Sequence, residues 1–186
     1  MSSSALRKVA ALVLYSMAMT ACGTGQSSEH QEGGMTTTRD ADPETTLRGR
    51  PSFEEAQLQY RAAVRNWANQ IALLRPGLTW QVKEDSWGGC TGEYANTPGI
   101  HVYLYVVFDG PIPDTSWPQA VDVLKRGAAA LGATDMTVLI DKPGDHDVTF
   151  GGPDGNAFEF GTKAAAVLSA TSDCRLRQAD LPAPSP

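Results

Sequence analysis

The sequence predicts an α+β fold: a two-layer sandwich, with two amphipathic helices packed on a mainly antiparallel sheet. Three observations carry the prediction. Apolar residues recur at steps of three and four in two stretches, Phe53 to Leu74 and Trp117 to Leu131. Between them, Leu78 to Lys83 alternates apolar and polar, and Ile100 to Phe108 is rich in β-branched and aromatic residues. After the second stretch come short β-prone runs joined by glycine-bearing turns, which require antiparallel pairing.

The first helix opens at Ser52, and Glu55 completes a Ser-x-x-Glu capping box. Its stripe is Phe53, Ala56, Tyr60, Val64, Trp67, Ile71 and Leu74, and Pro76-Gly77 stops it. Leu78 to Lys83 then reads as a half-buried strand. It runs into a glycine-rich loop from Trp87 to Tyr94 that holds Cys90. Ile100 to Phe108 is apolar on both faces, as a central strand is. Asp109-Gly110-Pro111 ends it. Ser116 opens the second helix, with Gln119 in the capping-box position and Gly132 at its stop. Met136 to Ile140, His146 to Phe150, Asn156 to Phe160 and Ala164 to Ala170 are the later strands, separated by turns at Lys142 to Asp145, Gly151 to Gly155 and Gly161 to Lys163. A ferredoxin-like strand order is compatible with this series but not demanded by it.

The start of the chain is a different kind of sequence. Arg7-Lys8 precedes an apolar run from Val9 to Met19, followed by Thr20-Ala21-Cys22. Charged segment, hydrophobic segment and small-residue cut site occur in the order of a secretory signal. The run is far short of the roughly 20 apolar residues that span a bilayer. Met19-Thr20-Ala21-Cys22 has the form of a bacterial lipobox, which sets residues 1–21 as a lipoprotein signal peptide and Cys22 as the lipidated residue. Two or more acyl chains on that cysteine, palmitate among them, would hold the protein on the extracytoplasmic face of the cell membrane. Residues 22–50 are polar and aperiodic and read as the lipidated cysteine and a flexible tether. Residues 51–180 then form a single α+β domain, and the proline-bearing residues 181–186 a disordered tail.

The chain carries 15 basic and 21 acidic residues, a formal charge of −6, and loss of Arg7 and Lys8 makes it more acidic still. Such a surface repels phosphate backbones, which excludes nucleic acid as a natural partner. Of three cysteines, Cys22 is taken by lipid. Cys90 and Cys174 then form an even pair in an exported chain, which reads as a disulfide. A reduced pair or metal ligation are the alternatives, although no Cys-x-x-Cys or neighbouring histidine supports zinc.

No catalytic motif stands out. His101 and His146 are candidate bases for an envelope hydrolase, but no Gly-x-Ser-x-Gly elbow accompanies them. Asp141, Asp145, His146, Asp147 and Asp154 form an acidic cluster whose spacing does not match a calcium loop. No metal and no cofactor is therefore expected. Trp87 and Tyr94, at the two ends of a glycine-rich loop fixed by a disulfide, are the candidate binding residues; packing over that disulfide is their alternative role.

Several local features occur together in one further group of proteins. They are the lipobox at Cys22, the long helix leading to Trp80, Cys90, Gly132-Ala133-Thr134 and Asp147-Val148. Gly155-Asn156, Phe158-Glu159-Phe160 and Asp173-Cys174 complete the set. In this order they resemble the LppA-like lipoproteins of actinobacteria. The resemblance implies export, anchoring and one domain; it brings no activity and no catalytic residues. The functional expectation is a lipid-anchored envelope protein, non-catalytic, that binds a protein, lipid or glycan partner. A hydrolase using a histidine–carboxylate site, or a carrier with an apolar cavity between helices and sheet, are the alternatives.

Overall fold

The computed structural model describes residues 42–183, so Cys22, the signal segment and most of the predicted tether lie outside the described residues. Chain order is α1 (Pro43–Arg48), α2 (Phe53–Ala72), β1 (Trp80–Gly89), β2 (Ile100–Phe108), α3 (Trp117–Ala130), β3 (Asp135–Lys142), β4 (Asp145–Gly151), β5 (Ala157–Thr162) and β6 (Ala166–Thr171). Two single 3-10 turns, Gly92–Tyr94 and Gln178–Asp180, complete it. The six strands form one sheet in the order β1-β2-β6-β5-β4-β3, with every neighbouring pair antiparallel. The order is not ferredoxin-like. Strands β3 to β6 form an uninterrupted meander, and α3 carries the chain from β2 to the far edge.

Both long helices lie on one face of this sheet, and strand alternation decides which residues meet them. In β2, Ile100, Val102, Leu104, Val106 and Phe108 are buried, whereas His101, Tyr103, Tyr105 and Val107 are half-exposed on the open face. The run that reads as apolar on both sides therefore belongs to a sheet covered on one side only. Strand β5 anchors both helices. Phe158 stacks on Tyr60 of α2 at 5.7 Å and meets Trp67 edge-on at 5.2 Å. Phe160 stacks on Trp117, the first residue of α3, at 4.9 Å. Each such aromatic contributes about 1.5–3 kcal/mol by leaving water, and together they fill the space between the layers.

The capping box at α2 is formed: the Glu55 amide donates to Ser52 Oγ (3.2 Å) and the Ser52 amide to Glu55 Oε2 (3.0 Å). The one expected at α3 is not. Ser116 already has helical backbone angles, and Pro118 removes one of the two amides a cap would accept from. Its hydroxyl instead reaches the Leu74 carbonyl at 3.4 Å.

Strand β1 also runs further than alternation predicts. A bulge between Val82 and Glu84 breaks the period, and pairing then continues to Gly89 opposite Ile100. Gly88 permits this, because a Cβ there would stand 2.8 Å from the His101 imidazole. Trp87 is thus a strand residue rather than the start of a loop.

The ends of the domain differ from expectation as well. Residues 43–50 belong to the domain, not to a tether. Asp42 caps α1, Pro43 starts it, and Leu47 is fully buried. Leu47 joins Tyr94, Cys174 and Leu176 in a second small core, against which Cys90 and Leu181 pack. Leu181, assigned to the tail by composition, is therefore part of the fold.

Candidate functional site

Cys90 and Cys174 are joined in a disulfide, with their Cα atoms 5.9 Å apart. It links the segment after β1 to the segment after β6, beside the ends of the central strands. A cleft of about 300 Å³ opens there. Cys90 to Tyr94 form one wall and the β4–β5 turn, Pro153 to Gly155, the other; His101, Thr171 and Ser172 line the space between. The turn closes on itself, with the Gly155 amide bonded to the Gly152 carbonyl (3.1 Å) and Gly155 at φ +86°.

Arg50 ties these parts together. One terminal nitrogen donates to Asp154 Oδ1 (2.8 Å) and the Tyr94 hydroxyl (3.3 Å), one from each wall. The other donates to Asp173 Oδ2 (3.3 Å) and the Cys174 carbonyl (3.2 Å). Arg175 takes the second oxygen of Asp173 at 2.8 Å. Asp173 is thus a buried carboxylate held by two guanidinium groups, the pairing that makes its burial tolerable. Next to it, burial and then the Asp173 charge push the Tyr60 hydroxyl up to about 12. Burial raises the Tyr94 hydroxyl, with Glu93 adding to it, and lowers the His101 imidazole. Burial thus makes the His101 imidazole of the cleft harder to protonate and its tyrosine hydroxyl harder to ionise.

Trp87 and Tyr94 are not two jaws of one loop. Trp87 is 55% exposed, and the Arg177 guanidinium lies 4.8 Å over its ring and 5.4 Å over Phe53. Tyr94 is only 9% exposed, packed in the disulfide's own small core under Arg50. Its ring braces the cleft wall.

The acidic cluster disperses in the fold. Asp145 pairs with Lys163 (2.8 Å), Asp154 with Arg50, and Asp147 lies on the open face, paired with Gly161. Asp141 meets His146 at Nδ1 (2.9 Å), while Asp114, from the segment before α3, meets its Nε2 (3.1 Å). The imidazole is also stacked on Trp117. With both ring nitrogens engaged by carboxylates, it has none to offer a nucleophile, and the arrangement pins the β3–β4 hairpin to the start of α3. The Gly144 amide, first, and His146 hold the Asp114 carboxyl below its ordinary range. Among the described residues, no three His, Cys, Asp or Glu side chains are grouped to hold a metal ion.

Sequence reasoning missed Arg50, Asp173, Arg175 and Asp114. Arg50 reads as the last residue of a polar segment. The one available signal was Asp173-Cys174-Arg175, opposite charges flanking a half-cystine.

Fold and site together define a two-layer α+β domain whose terminal segments are braced by a disulfide and an arginine–aspartate network around a polar cleft. The chain belongs to the LppA family, described as a lipoprotein confined to pathogenic Mycobacterium, whose sequence model matches residues 29–178. It is 28% identical over 152 residues to the protein named as lipoprotein LppB of Mycobacterium tuberculosis, covering 74% of this chain and 67% of that one. The crystal structure of LppA from Mycobacterium tuberculosis has the same fold. Its TM-score is 0.63 at 24% identity, over 76% of this chain and 89% of that one. A DUF4853 family protein from Actinomyces odontolyticus is a more distant likeness, with a TM-score of 0.51 at 18% identity over 75% and 80% of the two chains. Among the described residues no helix is long and apolar enough to cross a membrane.

Proposed function

We propose that this protein is lipid-anchored through Cys22 on the extracytoplasmic face of the cell membrane, and that its domain is a non-catalytic module that binds a glycan of the envelope. The anchor is supported by the lipobox and by membership of a family described as lipoprotein. The observation that carries the binding reading is the cleft held open by Arg50 between the disulfide segment and the β4–β5 turn. Its lining combines the hydroxyl-bearing Thr91 and Thr171, the carboxyl groups of Glu93 and Asp154, and the His101 ring. That is a set of both donors and acceptors, suited to sugar hydroxyls, which donate and accept at once. The chain's acidity disfavours anionic ligands.

Two experiments test this. Cys22→Ser should move the protein from the membrane fraction to the soluble one; retention in the membrane would refute the lipid anchor. The full-length protein in detergent should bind neutral oligosaccharides on a glycan array, and Thr171→Val should reduce that signal without lowering the melting temperature. Absence of any glycan signal, or a Thr171→Val variant that binds unchanged, would sink the glycan reading.

A further inference from the structure

Strand β3 is the edge of the sheet furthest from the cleft, and its sequence departs from what an edge ordinarily carries. A free edge exposes unpaired N–H and C=O groups, and folded proteins blunt it with charges, proline or cover. The opposite edge, β1, does so with Lys83, Glu84 and Asp85 at its middle. In β3, five consecutive residues from Met136 to Ile140 are uncharged. Met136, Val138, Leu139 and Ile140 are 41%, 53%, 55% and 36% exposed. Charge is confined to the strand's ends, at Asp135 and at Asp141-Lys142.

We propose that β3 pairs antiparallel with β3 of a second copy of this chain, about a two-fold axis normal to the sheet, so that the two sheets become continuous. Charge and register on the strand both specify that occupant. Antiparallel self-pairing can set Asp135 opposite Lys142 of the partner subunit, and by symmetry does so twice. Among the described residues neither Asp135 nor Lys142 has an ion-pair partner within its own chain. In a regular strand this alignment would oppose side chains from different faces, because the offset is odd. The bulge between Val138 and Ile140 removes the conflict. Asp135, Thr137, Ile140 and Lys142 all pair with open-face residues of β4, namely Gly151, Thr149, Asp147 and Asp145. Met136, Val138 and Asp141 pair with Phe150, Val148 and His146 on the helix-covered face. The alignment that matches the charges therefore also matches the faces, and it centres the bulge, with exposed Val138 and Leu139, on the axis. One edge per chain is consumed, so assembly closes at two.

The test uses the full-length protein, cross-linked in membranes and then extracted in mild detergent. Leu139→Cys should form a disulfide-linked dimer under mild oxidation, several-fold more than Gln81→Cys on the β1 edge. Light scattering should give the protein mass of a dimer. Asp135→Lys, which sets lysine against lysine, should halve that mass, and the swap Asp135→Lys with Lys142→Asp should restore it. A monomer for the unmodified chain would overturn the proposal. So would equal cross-linking at positions 81 and 139, a ladder of higher oligomers, or a charge swap that fails to rescue while its melting curve is unchanged.

Discussion

Arg50 reaches four acceptors through its two terminal nitrogens, and three of them lie more than 100 residues away. Removing its charge while keeping most of its length, as in Arg50→Met, would leave Asp173 with Arg175 alone. Complete loss of a buried partner costs about 3–5 kcal/mol. With one guanidinium remaining, a destabilisation of about 2 kcal/mol is expected from urea midpoints, together with loosening of the 153–155 turn seen as faster amide exchange. Asp147 works in the other direction. Burial, then the Glu159 and Asp145 charges, raise its carboxyl, and its Oδ1 has no hydrogen-bond partner. A carboxyl whose folded value lies above its unfolded one favours the protonated fold, so its ionisation costs stability as pH rises past about 4. Asp147→Asn should melt higher than wild type at pH 7, and the difference should shrink below about pH 4. Asp109 has the opposite sign. The Thr79 amide and then its hydroxyl hold that carboxyl low, so its stabilisation is present above about pH 4 and is lost as pH falls through the folded value. Asp109→Asn should accordingly flatten the acid limb of the stability curve.

Among the elements, the crossing of α2 and α3 depends on one missing methyl. A Cβ at Gly127 would overlap the Trp67 indole. Alanine there would gain about 1 kcal/mol of helix propensity, but overpacking a filled core costs about 1–3 kcal/mol. The ring is also packed edge-on against Phe158 at 5.2 Å, which restricts its freedom to move. Gly127→Ala is therefore expected to be destabilising on balance, a lower urea midpoint at unchanged slope. The stripe of α2 was legible because every buried member, from Phe53 to Ile71, follows helical spacing. The length of β1 was not legible. Its bulge breaks the alternation, and Gly88 lies in the strand for the sake of His101, a residue that sequence distance does not mark as a neighbour. The aromatic pair Trp87 and Tyr94 misled for the same reason, since strand register and the disulfide core assign them to separate cations.

For the molecule as a whole, the disulfide spans 84 residues and lies within the second core, where it ties the segment after β1 to the segment after β6. In the chain-entropy account a loop of that size stabilises by about 4–5 kcal/mol. The double variant Cys90→Ser with Cys174→Ser should lose stability of that order, read from urea unfolding, and reductant should shift the wild type to the same midpoint. Gly99 marks how closely that core is packed, because a methyl there would strike Cys174 Sγ and crowd Leu47.

Readable along the chain were the two helix stripes, the antiparallel class of the sheet and the pairing of Cys90 with Cys174. Each is written in local order, in hydrophobic period, or in parity. Long-range packing alone placed residues 43–50 in the domain, brought Arg50 to Asp173 across 123 positions, set Asp114 and Asp141 about His146, and left β3 at the edge. These are adjacencies across a sheet, set by strand order and register, and no period along the chain encodes which distant residues a strand order will bring together.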